Sequence, residues 1–500
     1  MISNLNHRQS ERMIPMNKEN WTLVFEDYAN KILDPKMVPG AIIALAKDGE
    51  QIYEHAFGYS DVELQKEITL DTVFGIGSIT KSFSCIAILQ LQEAGKLSVT
   101  DPVVTHLPQF RFGDEEASGQ IAIHHFMSNS SGIPPLSSLF GAMRRSIEGD
   151  PDYSHFLPPF DTKSIQELAY IDTYDDLLAY LSASGLSLLG GAGSQFSYSN
   201  DAFGLLGAII EKVSGMPYEV YVKKHILEPA GMTNTGFSIS DLPEDTAIST
   251  LYTKRLTDGK PELFASPYWL DAPAQRAAGF LKSTARDMLR FAEIFRTGGC
   301  AGDVRILSEV SVTQMMTPHI GIDSFIHYGY GLFITPSPHY HGGSLVEHSG
   351  GIKGVSAQMH ILPEAGITGI VLINADGAFA VRGLLAAALN ALHERPVDTP
   401  EFSYPSYVPG TPAMTEYSGD YSSSEGSRVS VSLSGETLTI SVKMGEIERA
   451  IPLVPVGPDQ FIAELGHGMS NSVIFYRDEN RRVCRILFGF RQLTKADRKS

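Results

Sequence analysis

Ser78 and Lys81 place a hydroxyl and an amine three residues apart, at the start of a strongly apolar stretch. In a helix the two side chains would share one face, one turn apart. Burial of that turn would strip water from the ammonium, so the lysine would release its proton more easily. A lysine able to accept a proton can turn a neighbouring serine into a nucleophile. The pair therefore predicts covalent serine catalysis, while a plain helix N-cap is the alternative interpretation of Ser78.

Two later segments carry groups that could complete this chemistry. Tyr198 lies just before a run of apolar residues at helical spacing, which Ser199 or Asn200 could cap. Farther along, His348-Ser349-Gly350-Gly351 precedes an alternating strand over residues 355–361. Glycines at that position would let a substrate backbone lie close against the strand.

In this order the segments resemble the three motifs of penicillin-recognising serine enzymes, S-x-x-K, Y-x-N and K/H-[ST]-G. The Tyr-x-Asn form is similar to the branch that holds class C β-lactamases, D-alanyl-D-alanine carboxypeptidases, D-aminopeptidases and β-lactamase-like esterases. The resemblance extends over about residues 20 to 392. Further segments that match this family are Phe74–Ser78, Glu93–Leu97, Asp101–Val103, Ile121–His125, Ser131–Pro134, Gly279–Asp287, Tyr328–Gly331 and Asn374–Gly377.

The resemblance implies a role for each motif residue. Ser78 would be the nucleophile, and its backbone N–H would face the oxyanion together with that of Gly351. Lys81 would be the base and proton shuttle. Tyr198 would be the general acid and base, as a phenolate favoured by the Lys81 charge. Asn200 would bind Lys81 and the substrate carbonyl, with a helix cap as its alternative role.

His348, Ser349 and Gly350 are the expected substrate-binding residues of the third motif. Many β-lactamases carry a lysine where this chain has His348, and that lysine gives a substrate carboxylate a fixed positive charge. Histidine is largely neutral at pH 7. The presence of a histidine favours an enzyme that acts on peptides, amides or esters over a β-lactamase dedicated to antibiotic resistance.

The sequence therefore predicts a serine hydrolase that forms an acyl-enzyme on short peptides or amides, particularly those with D-residues. β-Lactams would be acylating ligands that turn over slowly, and no cofactor is expected. The alternatives are a β-lactamase-like carboxylesterase, a class C type β-lactamase and a non-catalytic sensor of cell-wall peptides.

Composition excludes several kinds of partner. The 500-residue chain has a net charge of −18, which argues against nucleic acids and anionic lipid surfaces. Its three cysteines are far apart and form no metal-type pattern. His339 and His341 lack an apparent third ligand, so no metal is predicted. The oligomeric state is left open.

Residues 1–20 form a polar tail without the apolar core of a secretory signal. No stretch approaches the length needed to cross a bilayer. We therefore expect a cytoplasmic protein.

The order of the expected elements predicts an α+β fold over residues 21–394, with a sheet backed by terminal helices and a helical subdomain beside it. The resemblance implies that this is the β-lactamase/transpeptidase-like fold, in which the sheet is antiparallel. A proline-rich linker follows at 395–413. Short alternating strands over 414–493 predict a small all-β barrel, similar to the lipocalin-like domain of some relatives, before a tail at 494–500. Residues 135–176 are longer than is usual in the family, so they form either a lid over the cleft or a surface excursion.

Overall fold

The computed structural model describes residues 18–155, 165–257, 260–340, 342–377, 380–408, 414–444, 447–466 and 469–496. The predictions for most of the N-terminal tail, for His341, for the middle of the 135–176 segment and for 409–413 and 497–500 lie outside these ranges. The helices are α1 (Lys18–Ile32), α2 (Thr80–Glu93), α3 (Val103–His106), α4 (Glu115–Gly119), α5 (Ile123–Met127), α6 (Ser138–Gly149), α7 (Tyr174–Ala183), α8 (Asn200–Ser214), α9 (Tyr218–Val222), α10 (Ala285–Arg296), α11 (Glu309–Met315) and α12 (Ala380–Leu392).

The first part of the chain builds an eight-stranded antiparallel sheet in the order β2-β1-β14-β13-β12-β11-β10-β9. The hairpin predicted around Asp48 and Gly49 is confirmed. Strands outside the barrel are β1 (Gly40–Lys47), β2 (Glu50–Gly58), β3 (Val73–Gly75), β4 (Tyr252–Thr257), β5 (Lys260–Ala265), β6 (Lys282–Thr284), β7 (Cys300–Ala301), β8 (Val304–Arg305), β9 (Ile320–Gly321), β10 (His327–Tyr328), β11 (Phe333–Tyr340), β12 (Gly343–Ile352), β13 (Val355–Leu362) and β14 (Ile367–Ile373).

The sheet is buried on both faces, which explains why its central strands are apolar at successive positions. In β1, Ile43 and Leu45 pack with α1 and α12. Ile42 and Ala44 point to the opposite face, where a larger core includes α2, α8 and α10. The apolar helix α2 is therefore enclosed by the sheet and the helical subdomain.

The C-terminal part is a closed eight-stranded barrel, as the alternating pattern predicted. The barrel core contains aromatic and aliphatic side chains from alternate strand positions. Its strands are β15 (Gly419–Ser422), β16 (Arg428–Ser434), β17 (Thr437–Met444), β18 (Ile447–Gly457), β19 (Gln460–Gly466), β20 (Met469–Arg477), β21 (Val483–Phe488) and β22 (Arg491–Lys495).

The barrel packs against the loop that precedes α8 and against the sheet. Gln492 donates a 2.7 Å hydrogen bond to the Phe196 carbonyl oxygen, and Arg485 donates one of 2.6 Å to the Leu189 carbonyl oxygen. The Phe490 ring lies 4.5 Å from that of Phe333, between ring centroids. These contacts place the β21–β22 turn beside the start of β11 and the loop that precedes α8.

The described part of the 135–176 segment is anchored in the core rather than free. Met143 and Ile147 of α6 are buried, and Asp150 forms a buried ion pair with Lys353. Pro135 accepts a hydrogen bond from Ser424 of the barrel. A lid function stays a prediction.

Within the described ranges, no helix combines the length and the apolar content that crossing a membrane requires.

Candidate active site

Ser78 lies in a short 3₁₀ turn (Gly77–Ile79) that leads directly into α2. The turn packs closely against β12, and both sides of this contact need glycine. Gly77 has φ +49°, and a Cβ on it would come within 2.6 Å of the Gly351 nitrogen. A Cβ on Gly350 would lie 1.9 Å from the Ile76 carbonyl oxygen. The absent side chains therefore bring the backbone of the third motif next to the serine.

Lys81 is completely buried in the first turn of α2. Its Nζ lies 3.1 Å from Ser78 Oγ, 2.8 Å from Asn200 Oδ1 and 2.6 Å from the Ala278 carbonyl oxygen. These three partners are neutral. Burial, and then the charge of Arg491, hold the pKa of Lys81 well below its ordinary value. The amine is therefore poised to accept a proton from the serine.

The loop before α8 holds Tyr198 over the lysine. Asn129 fixes the loop by accepting hydrogen bonds from the backbone N–H groups of Ser199, through its side chain, and Ser197, through its carbonyl. The Tyr198 ring centroid is 4.8 Å from Lys81 Nζ. The hydroxyl and amine of the first motif and the phenol of the second, which are far apart along the chain, thus lie together.

Burial raises the pKa of Tyr198 to about 12, although Arg491 and the Ser78 hydroxyl act to lower it. This differs from the expectation that the Lys81 charge would favour a phenolate. Loss of solvent outweighs the neighbouring charges, so the phenol keeps its proton in the resting protein.

Ser199, rather than Asn200, caps α8, because its side chain accepts a 3.1 Å hydrogen bond from the Ala202 N–H. The Asn200 amide is therefore available to bind Lys81, as the first of its two predicted roles requires.

His348 is 1% exposed, and each of its ring nitrogens has a partner. Nε2 lies 3.0 Å from the Tyr328 hydroxyl, and Nδ1 lies 2.7 Å from the Ser349 carbonyl oxygen. Burial, reinforced by Lys81, lowers the pKa of His348 to about 3. The imidazole is therefore neutral at physiological pH.

The third motif also presents an open strand edge. Near the motif, β11 pairs with Leu345–Glu347 of β12, and its register ends there. Residues 348–352 of β12 then pair with β13 alone. Ser349 is partly exposed and Gly351 is exposed, so their backbone can receive an extended ligand from the cleft side.

Arg491 is a site residue that the sequence did not reveal. Its guanidinium carbon lies 4.6 Å from the Tyr198 ring centroid, and its Nε donates a 2.7 Å hydrogen bond to Glu425. Both residues belong to the barrel, and no motif marks either of them.

Among the described residues, no cluster of histidine, cysteine, aspartate or glutamate side chains could hold a metal ion. His339 instead packs its ring against Phe325, with 5.2 Å between the ring centroids.

A sequence model of a known family matches residues 25–392, and its description is Beta-lactamase. The chain belongs to the Beta-lactamase family. This confirms the resemblance carried by the three motifs, and it identifies the protein as a serine hydrolase of the β-lactamase and penicillin-binding type.

The similarity to individual proteins includes both parts of the chain. Penicillin-binding protein 4* of Bacillus subtilis is 25% identical over 472 residues, which are 88% of this chain and 93% of the relative. The octameric penicillin-binding protein homologue from Pyrococcus abyssi is 27% identical with a TM-score of 0.64, over 95% of this chain and all of that one. Esterase EstB of Burkholderia gladioli is 29% identical over 47% of this chain and 54% of the esterase.

Proposed function

We propose that this Beta-lactamase family member hydrolyses short peptides and amides, particularly those with D-residues, through an acyl-enzyme on Ser78. The observation that carries the proposal is the buried Lys81, whose amine lies 3.1 Å from the Ser78 hydroxyl among neutral partners. An amine in that environment can be unprotonated near neutral pH and act as a base.

The resting protonation states suggest a route for the proton. Neutral Lys81 takes the Ser78 proton as the oxygen attacks the substrate carbonyl. The backbone N–H groups of Ser78 and Gly351 stabilise the oxyanion. Tyr198 gives its proton to the leaving amine and is reprotonated by Lys81, which leaves an acyl-enzyme. Water then attacks the ester by the reverse route and releases the acid.

The third motif supports amides and esters as substrates. A neutral His348 held by Tyr328 supplies no positive charge for a substrate carboxylate. The open edge of β12 can instead bind the substrate backbone by hydrogen bonds, which suits an extended peptide. The names of two similar proteins contain "penicillin-binding", which supports β-lactams as slow acylating ligands.

Ester hydrolysis is the second candidate, and the similarity to an esterase favours it. An ester has a better leaving group than an amide and depends less on protonation by Tyr198. The same residues would therefore serve both reactions.

The substrate can be assigned with a panel of D-aminoacyl and L-aminoacyl arylamides, short-chain aryl esters and a chromogenic β-lactam. We expect turnover of the D-aminoacyl amides to exceed that of their L-isomers, and we expect Ser78→Ala to abolish it. Turnover of esters alone would favour the esterase. Fast turnover of the β-lactam would identify a class C type β-lactamase.

A further inference from the structure

The barrel contributes a charged pair to the catalytic centre. The Arg491 guanidinium stacks 4.6 Å from the centroid of the Tyr198 ring, and Glu425 binds its Nε. The Arg491 side chain is 24% exposed. The guanidinium is therefore mostly desolvated, and its charge acts on the phenol through protein rather than through water.

Neighbouring contacts hold this arginine in place. On one side of it, Phe490 packs on Phe333, whose ring centroid is 5.2 Å from that of His348. On the other side, Gln492 bonds to the Phe196 carbonyl oxygen, two residues before Tyr198. The β21–β22 turn thus contacts the start of β11, next to His348, and the loop before Tyr198, and Arg491 lies between these two contacts.

Arg491 places a positive charge that does not depend on pH beside the Tyr198 ring. Lys81 is a second basic side chain in contact with the ring, and its pKa is depressed by burial and then by Arg491. His348, which occupies the position of the lysine in many β-lactamases, is neutral because burial lowers its pKa. An arginine keeps its charge at all pH values at which a protein is folded.

Three other titratable groups near the catalytic centre, Cys85, Tyr328 and Asp201, supply no positive charge. Burial raises the pKa of the Cys85 thiol and of the Tyr328 phenol, so both are uncharged at neutral pH. Burial also raises the pKa of Asp201 to about 6, and this carboxylate is hydrogen-bonded to Ser138 and Gln275. Its negative charge opposes that of Arg491.

We propose that Arg491 is a positioning residue that the barrel inserts beside Tyr198 as a permanent positive charge, and that Glu425 partly neutralises this charge. The guanidinium favours the unprotonated amine of Lys81 and the deprotonated phenol that forms when Tyr198 gives up its proton. The inference rests on the proposed roles of Ser78, Lys81 and Tyr198. It also gives the barrel a function, because a chain without it would lack this charge.

The test is the pH dependence of Ser78 labelling by a fluorophosphonate, which needs no knowledge of the natural substrate. Arg491→Met removes the positive charge, so the pH at which labelling reaches half its maximum should rise by about one unit. Glu425→Gln removes the opposing negative charge, so this midpoint should fall. Arg491→Lys keeps a charge and should stay nearer to the wild-type midpoint than Arg491→Met.

Arg485→Met is the matched control, because Arg485 also joins the barrel to the loop before Tyr198, at Leu189 and Gln195. It should keep the wild-type midpoint, whatever its labelling rate. Equal midpoints in all the variants, or shifts of the same sign in Arg491→Met and Glu425→Gln, would overturn the proposal. Labelling that persists in Ser78→Ala would instead refute the proposed catalytic serine, so the two failures are distinguishable.

Discussion

Lys81 Nζ lies 3.1 Å from Ser78 Oγ, and among the described residues none of the hydrogen-bond partners of the amine is a carboxylate. A buried lysine usually has an acidic partner, because an unpaired charge in the interior is costly. Here the cost is reduced if the amine gives up its proton. The geometry therefore explains why this residue can be a base while the exposed lysines of the chain cannot.

Replacing Lys81 distinguishes a base from a fixed charge. Lys81→Met removes the amine, and Lys81→Arg keeps a positive charge but cannot release a proton. We expect both variants to lose about 10²- to 10⁴-fold in the rate of aryl-ester or amide hydrolysis. An arginine variant with nearly wild-type activity would show that charge alone is required.

Tyr198→Phe should lower the rate of amide hydrolysis by about 10²- to 10⁴-fold, because the leaving amine loses its proton donor. The ring and its contacts with Lys81 and Arg491 remain, so stability should change little. Tyr218→Phe is the control, since its buried hydroxyl bonds Ser84, away from the serine. That variant should lose about 1 kcal/mol of stability and keep its activity. Equal activities for the two variants would contradict the role of Tyr198.

Gly350→Ala should distort the site, because its Cβ would lie 1.9 Å from the Ile76 carbonyl oxygen. Separation of β12 from the serine turn should lower the melting temperature and the rate of Ser78 labelling together. The cost of overpacking is about 1–3 kcal/mol. Gly119→Ala is the control, since a Cβ there meets nothing within 4 Å. A Gly350→Ala variant that matches the control would show that the contact is not needed.

The buried His348 should make the protein less stable in acid. Its pKa is lowered from 6.5 to about 3 in the folded state. Between these two pH values the unfolded chain therefore binds a proton at this histidine that the folded protein does not bind. The free energy of unfolding should therefore fall as the pH drops from 6.5 towards 3, by up to about 1.4 kcal/mol per pH unit.

Denaturant unfolding between pH 7 and pH 4 measures this slope. His348→Gln should flatten it, whereas His339→Gln, at an exposed position, should not. Equal slopes in the wild type and in His348→Gln would mean that folding does not lower the pKa of His348.

Local spacing predicted much of the site. The interval from Ser78 to Lys81 fixes their distance once α2 forms, and the alternation in 355–361 correctly identified β13. The sequence also predicted the hairpin at Asp48 and Gly49 and the barrel strands, because turn residues and alternating apolar positions are local signals.

Properties that depend on tertiary burial were not predictable in the same way. The protonated phenol of Tyr198 follows from its burial in the folded protein, which no local pattern reports. Arg491 lies in a different part of the fold and far along the chain from Ser78, so its place over Tyr198 emerges only when the barrel docks. The choice of Ser199 as the helix cap likewise depends on backbone angles that the residue types left open.

Covalent catalysis by Ser78 is tested most directly by peptide mapping of the native protein after reaction with a fluorophosphonate and with a labelled penicillin. We predict one label per chain, on Ser78, for the fluorophosphonate and a slower label on the same residue for the penicillin. Heat-denatured protein and Ser78→Ala should take up neither reagent. A folded wild-type protein that stays unlabelled, or that carries its label on another residue, would contradict an acyl-enzyme on Ser78.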